Sequence, residues 1–246
     1  MRDLHCHTTY CDGANTPREM AKAAYAKGLT TLGFSGHSYT AFDESYCMSL
    51  KGTKAYIAEV RALAEEYRGC MKILCGVEQD LFATFPPDAF DYVIGSTHYL
   101  RFGDVYIPVD EDPKYLIDAA ERYCDGDIYA LIERYFEEEA QVVETTRADI
   151  IGHFDLICKF NEKTPLFDET HPRCRAAWKQ AADALLVTGK PFEINTGAIS
   201  RGYKTVPYPS PEIRAYLREH GAKFILSSDS HRADTLCFEF EKWKED

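Results

Sequence analysis

Six of the chain's eight histidines fall in short fragments that also read as strand ends. They are His5-Cys6-His7, Gly36-His37-Ser38, Thr97-His98-Tyr99, Gly152-His153-Phe154 and Asp229-Ser230-His231, joined by Asp12 and Glu78. Neutral imidazole nitrogens and carboxylate oxygens together make a ligand set for Zn, Fe or Mn, with no thiolate needed. A lone His-x-His or Asp-x-His is a weak signal, because such pairs are often merely exposed or hydrogen-bonded. Their joint recurrence at one kind of position points to a multi-metal hydrolytic site. Glu78 adds to this. It follows the apolar run Ile73-Leu74-Cys75-Gly76-Val77, where a carboxylate needs a counter-charge, and a pair of cations bridged by it would supply one.

The elements that must position these residues alternate between β-rich and amphipathic helical runs. Arg2 to Cys6 reads as a first strand. Thr16-Pro17-Arg18-Glu19 is a capping box with proline at the first helical position, opening a helix that Gly28 closes. Further strands are predicted at 30–35, 71–77, 91–95, 149–152, 191–195 and 223–227. Helices are predicted at about 54–67, 113–123, 128–146 and 173–187, with another from Ser210-Pro211 to Gly221. This βαβα order implies an α/β fold with a parallel sheet, and seven strands suggest a closed or nearly closed barrel. His7, His37, Glu78, His98, His153, Asn195, Asp229 and His231 then lie at or just past the C-terminal strand ends, the edge where parallel α/β folds build active sites. Strand alternation lets both members of His5-x-His7, or of Asp229-x-His231, face one side.

Bulk properties limit the alternatives. A chain of 246 residues with 45% hydrophobic content can form one barrel, and no internal repeat or interdomain linker argues for more than a single 1–246 domain. The net charge of −12 weighs against nucleic acid or anionic membrane as partners. The nine cysteines are odd in number and scattered, as expected of reduced thiols in the cytoplasm. Met1-Arg2-Asp3-Leu4-His5 has no apolar targeting run, and no window reaches the ~18 apolar residues of a membrane span. A soluble, cytoplasmic protein is expected, with its oligomeric state open.

The set His5-x-His7, Asp12, His37, Glu78, His98, His153 and Asp229-x-His231 resembles the polymerase-and-histidinol-phosphatase (PHP) superfamily. Within it, Gly33-Phe34-Ser35-Gly36-His37-Ser38, residues 42–48, 95–100 and 152–156, and Glu193-Ile194-Asn195-Thr196 resemble histidinol-phosphatases. The resemblance implies a distorted, TIM-like (β/α)7 barrel with three divalent metal ions at the C-terminal ends of its strands. It further implies His5, His7, Glu78 and Asp229 around a first ion, Glu78, His98 and His153 around a second, and Asp12, His37 and His231 around a third. Some relatives carry histidine where this chain has Asp12, which is still a competent ligand. The implied activity is hydrolysis of L-histidinol phosphate, in histidine biosynthesis, through a metal-bridging hydroxide. Glu78, Asp229 and His231 are the residues expected to carry catalysis.

A phosphate ester also calls for fixed cationic donors. Arg201, in a Gly-flanked loop after the sixth strand, has a planar fork suited to two phosphate oxygens, although it could also be a solvated loop residue. Lys159 is a second candidate, and exposed lysines are common. In the 39–48 loop, Tyr39, Phe42 and Tyr46 could pack on a substrate imidazole and Asp43 or Glu44 could pair with an ammonium group. The same loop could equally pack its own aromatics over the barrel mouth. His171 and His220 read as helix-end residues. The leading reading is a histidinol-phosphatase. Its alternatives are a PHP-type phosphoesterase for another small ester or nucleotide, and a metal-binding module without turnover.

Overall fold

The computed structural model describes residues 1–244; residues 245 and 246, the end of the expected 1–246 unit, lie outside the described residues. The strands are β1 (Arg2–Asp3), β2 (Thr31–Phe34), β3 (Lys72–Asp80), β4 (Tyr92–Ser96), β5 (Tyr99–Phe102), β6 (Val105–Pro108), β7 (Ile150–Ile151), β8 (Phe192–Asn195) and β9 (Phe224–Ser227). Seven of them form one sheet in the order β1-β2-β3-β4-β7-β8-β9. Every neighbouring pair in it is parallel. Beyond the strand ends the two edges meet. The His7 amide donates to the Ser230 carbonyl at 2.8 Å, and the Ser230 amide donates to the His5 carbonyl at 3.1 Å. The result is the nearly closed parallel barrel that the alternating pattern predicts.

The barrel interior is filled rather than open. Leu4, Tyr92, Ile94, Ile150 and Ile225 form its buried centre. Tyr92 lies across it, its hydroxyl donating to the carbonyls of Leu4 at 2.5 Å and Phe34 at 3.0 Å. That crossing requires glycine on the facing strands: a Cβ at Gly33 or Gly76 would lie 2.3 or 2.2 Å from Tyr92. Side chains on the outer faces of the sheet pack against the crossover helices in two larger clusters.

Most elements follow the local signals. Thr16 accepts from the Glu19 amide and the Glu19 carboxylate accepts from the Thr16 amide, closing the predicted capping box over helix Pro17–Ala26. The helix at Pro113–Tyr123 matches its prediction. Three features differ. The helix expected from Lys54 starts at Leu50, because the Ser49 hydroxyl caps it by accepting from the Gly52 amide. The single helix expected over 128–146 is two, Ile128–Glu139 and Val142–Thr146. The break re-aims the second piece, so that Val142 and Thr146 pack over Gly95 of β4. Finally, an antiparallel hairpin of β5 and β6 follows directly after His98 and has no counterpart in the sequence-based reading.

Asp3 clasps the seam of the barrel. Its fully buried carboxylate accepts from the Ser228 hydroxyl at 2.5 Å, the Ser228 amide at 3.2 Å and the Cys237 amide at 2.9 Å. Removing it strands buried donors, so Asp3→Ala should cost about 1–3 kcal/mol. Urea unfolding should show a lower midpoint at constant slope; an unshifted midpoint would mean the seam is held elsewhere.

Candidate metal centre

Seven short segments bring their polar residues to the C-terminal rim of the barrel. Past β1, alternation turns His5 and His7 to the same side, where both meet Glu78 near the end of β3 and Asp229 just past β9. His5 Nε2 lies 3.2 Å from Glu78 Oε2 and 3.7 Å from Asp229 Oδ1. His7 Nε2 lies 3.4 and 3.2 Å from the same two atoms. The other oxygen of Glu78, Oε1, faces a different pair: His153 Nε2 at 2.9 Å and His98 Nε2 at 3.3 Å. The Ser96 hydroxyl donates to Oε1 at 2.8 Å and fixes the carboxylate between the two pairs. Asp12 joins the remaining residues, with His231 Nε2 at 3.1 Å and His37 Nε2 at 3.6 Å.

All nine sequence-predicted ligands therefore converge: His5, His7, Asp12, His37, Glu78, His98, His153, Asp229 and His231. Their grouping is more interlaced than three separate sets. By mutual proximity within 4.8 Å, His7 belongs with both His5–Asp229 and Asp12–His37–His231, and His37 belongs with both Asp12 and Glu78–His98. His37 Nδ1 is 3.0 Å from Glu78 Oε2.

Three atoms test whether cations suit this arrangement. His5 Nε2, His7 Nε2 and Glu78 Oε2 are buried and have no hydrogen-bond partner, yet both nitrogens lie within 3.4 Å of the Glu78 oxygen. Buried polar atoms are almost always satisfied, and three unsatisfied atoms crowded together in this way are what a divalent ion would satisfy.

The electrostatics agree. Burial opposes charge on Glu78, but the imidazoles of His5, His37 and His98 outweigh it and hold its carboxyl well below the usual range. Asp229 is held low against burial by Arg201 and His5, and Asp12 by His37 and His231. For His5, burial disfavours the cation, yet Glu193, Glu78 and Asp229 raise its pKa well above the usual value. His7 goes the other way, down to about 3, through burial and the neighbouring His231 and His37. The centre thus keeps its carboxylates ionised and holds unprotonated imidazole at His7, the forms that bind metal.

Supporting contacts fix the ring orientations. Asp80, two residues after Glu78, accepts from the His98 amide at 3.1 Å and lies 3.2 Å from His98 Nδ1. Asp229 adopts φ +48°, a left-handed conformation that aspartate tolerates better than most residues. Arg201 holds it there, donating to the Asp229 carbonyl and Oδ2, each at 3.0 Å, and lying 2.8 Å from His231 Nδ1. Gly197 leaves room for this clamp, since a Cβ there would come 2.8 Å from Asp229 and 3.0 Å from Arg201.

A cavity of about 180 Å³ opens onto the centre. Besides the ligands it is lined by Asp110, Leu156, Lys159, Arg201 and Tyr203. The two expected cations, Arg201 and Lys159, thus line one cavity, with the Lys159 ammonium donating to the Asp110 carbonyl at 2.6 Å and carboxylate at 3.0 Å. Tyr39, Phe42 and Asp43 are placed differently. None lines this cavity: the Tyr39 hydroxyl donates to Glu44, Phe42 stacks on Tyr106 at 3.7 Å, and Asp43 accepts from the Tyr99 hydroxyl at 2.7 Å. The β5–β6 hairpin supplies Tyr99 and Tyr106, so the loop packs on its own aromatics and on the hairpin. Its Tyr46 comes nearest the centre, 4.9 Å from the His37 ring. Sequence reasoning missed Asp80, Asp110 and Tyr203. Only Asp80 carried a signal, the alternation Glu78-x-Asp80 at a strand end.

Comparison with known proteins agrees with this architecture. A family model described as PHP domain matches residues 3–197. A probable histidinol-phosphatase of Deinococcus radiodurans is 30% identical, with 97% of this chain and 89% of the relative covered. The histidinol-phosphatase of Bacillus subtilis is 26% identical over 99% of this chain and 98% of its own length. A crystal structure from Lactococcus lactis, histidinol phosphate phosphatase with Zn, L-histidinol and phosphate, superposes with a TM-score of 0.76. At 22% identity, over 99% of this chain and 91% of that one, it shares the fold. The rim of histidines, the parallel barrel and these matches have one reading: the chain belongs to the PHP domain family.

Proposed function

We propose that this protein is a metal-dependent phosphomonoesterase that hydrolyses L-histidinol phosphate to L-histidinol and phosphate. The observation that carries the reading is a cage of ionised carboxylates and imidazoles with three buried polar atoms left without a hydrogen-bond partner, beside two cationic side chains in one small cavity. The full-length similarity to histidinol-phosphatases of Deinococcus radiodurans and Bacillus subtilis supports the substrate. We assign three divalent ions, of Zn, Fe or Mn, to His5, His7, Glu78 and Asp229, to Glu78, His98 and His153, and to Asp12, His37 and His231. The free thiols fit a cytoplasmic setting, and among the described residues no helix is long and apolar enough to cross a membrane.

When bound, such ions lower the pKa of water and offset charge on the phosphoryl oxygens. The chain's own residues do the rest. Glu78 holds two histidine pairs at fixed separation through its two oxygens, and Ser96 prevents it from rotating. Arg201 is anchored by Asp229 and His231 with its side chain 29% exposed, so its fork reaches the cavity already oriented. Lys159 supplies a point charge to the same cavity, and Leu156 and Tyr203 narrow the space left for water. Asp12, Glu78, Asp110 and Asp229 also line that cavity, so a phosphate dianion is repelled until cations reverse the local field.

Phosphate release from a panel of phosphomonoesters, with elemental analysis of the same preparation, tests the reading. Histidinol phosphate should be turned over well ahead of the others. Equal rates across the panel would remove the substrate assignment, and a fully metal-loaded protein that releases no phosphate would remove the activity. With a net charge of −12, single-stranded DNA should be a far poorer substrate. Glu78→Gln should lose metal and turnover together, and full metal content with normal turnover would exclude a bridging role. Lys159→Ala should raise KM about 10-fold to 100-fold, the effect of losing a charge-assisted contact, while metal content stays constant. Arg201→Ala should lower both metal retention and phosphate affinity, because the clamp on Asp229 goes with it.

A further inference from the structure

Glu193, on β8, is a fully inward carboxylate, 1% exposed, that lies behind the metal cage rather than in it. A buried carboxylate is costly unless each oxygen is engaged. Among the described residues its ion-pair partner is a histidine, His5, with no lysine or arginine alongside. Its Oε1 lies 2.7 Å from His5 Nδ1. Its Oε2 accepts from the His153 amide at 3.2 Å and from the Asn195 side chain at 3.1 Å.

The same two histidines meet Glu78 on the opposite side. His5 Nε2 faces Glu78 Oε2 and His153 Nε2 faces Glu78 Oε1. Two carboxylates therefore hold one pair of residues from front and back, with each oxygen serving a different histidine. His5 and His153 belong to different ion positions in the reading above.

We infer that Glu193 is a positioning residue that couples two of the metal positions, fixing the ring of His5 and the backbone of His153 with one carboxylate. Accepting from His5 Nδ1 places the proton there and leaves Nε2 a lone pair aimed at the cage. Accepting from the His153 amide sets where that residue leaves β7 and so where its Nε2 points. The inference rests on the metal-centre reading but not on the identity of the substrate.

An amide cannot replace this carboxylate. In a Glu193→Gln protein, a side-chain oxygen turned to His5 would leave the new NH2 facing the His153 amide and the Asn195 NH2, three donors with no acceptor. Asn195 cannot turn to help, because its own oxygen accepts from the Gly197 amide at 2.9 Å. With the new amide turned the other way, its NH2 would face His5 Nδ1. The proton would then sit on Nε2, which could not bind a cation.

The test is zinc retention by the full-length protein against a competing chelator, with equivalents counted by elemental analysis and no substrate present. Glu193→Gln should weaken two zinc equivalents together, each by about 10-fold to 100-fold, the usual effect of losing such a supporting partner. Asp80→Asn, which supports His98 alone, should weaken one. A Glu193→Gln protein that weakens one equivalent or none overturns the coupling. Should that variant fail to fold, nitrogen-15 NMR of the zinc-loaded native protein decides. A proton on His5 Nδ1 and a protected His153 amide are expected; a proton on His5 Nε2 overturns the assignment. Because no phosphate ester is involved, a protein that fails as a histidinol-phosphatase could still pass.

Discussion

The carboxylate of Glu78 is the interaction from which the rest of the site takes its form. It is 1% exposed at the end of an apolar strand, a position that ordinarily favours a neutral or absent charge. Instead it is ringed by His5, His7, His37, His98 and His153, each with a ring nitrogen within 3.4 Å of one of its oxygens. Those imidazoles reach it from four other segments of chain. A single buried charge thus demands that four strand ends stop at the same height, which a parallel barrel supplies and an open antiparallel sheet would not.

That demand explains features of the scaffold that have no catalytic part. The seam at Asp3 and Ser228 sets the level at which β1 and β9 deliver His5, His7 and Asp229. Tyr92 spans the barrel to the carbonyls of Leu4, the residue before His5, and Phe34, the last residue of β2. Asp229 accepts an unfavourable backbone region because Arg201 and the space left by Gly197 make that conformation the one in which its oxygens face His5 and His7. Stability is spent at the rim and recovered in the packed interior below it.

How much of this could be read from the sequence depends on the range of the interaction concerned. The barrel was legible because helix caps such as Thr16–Glu19 and short apolar runs are local, and the ligands because histidine is rare and clustered at strand ends. Supporting residues were harder. Beyond the alternation Glu78-x-Asp80 and the fragment Glu193-Ile194-Asn195-Thr196, what marks Asp80 and Glu193 is a partner 18 and 188 residues away. The β5–β6 hairpin escaped because its strands are four residues each and turn at Gly103, too short for a periodic signal. Missing it hid the partners of Phe42 and Asp43, which is why these residues read equally well as substrate contacts.

The hairpin also bears on how selectivity could arise. The cavity itself is small and polar, with room in the proposed reading for a phosphate group and little else. Discrimination among phosphate esters must then come from whatever surrounds the non-phosphate end of the substrate. An aromatic layer of Phe42, Tyr46, Tyr99 and Tyr106 lies beside the centre, with Tyr46 4.9 Å from the His37 ring. It joins a loop to a hairpin rather than to the rigid strands, so it can differ between barrels while the rim stays fixed. In the proposed reading, chemistry and choice of ester would then fall to separate parts of the fold, the strand ends to the one and the loop and hairpin beside them to the other.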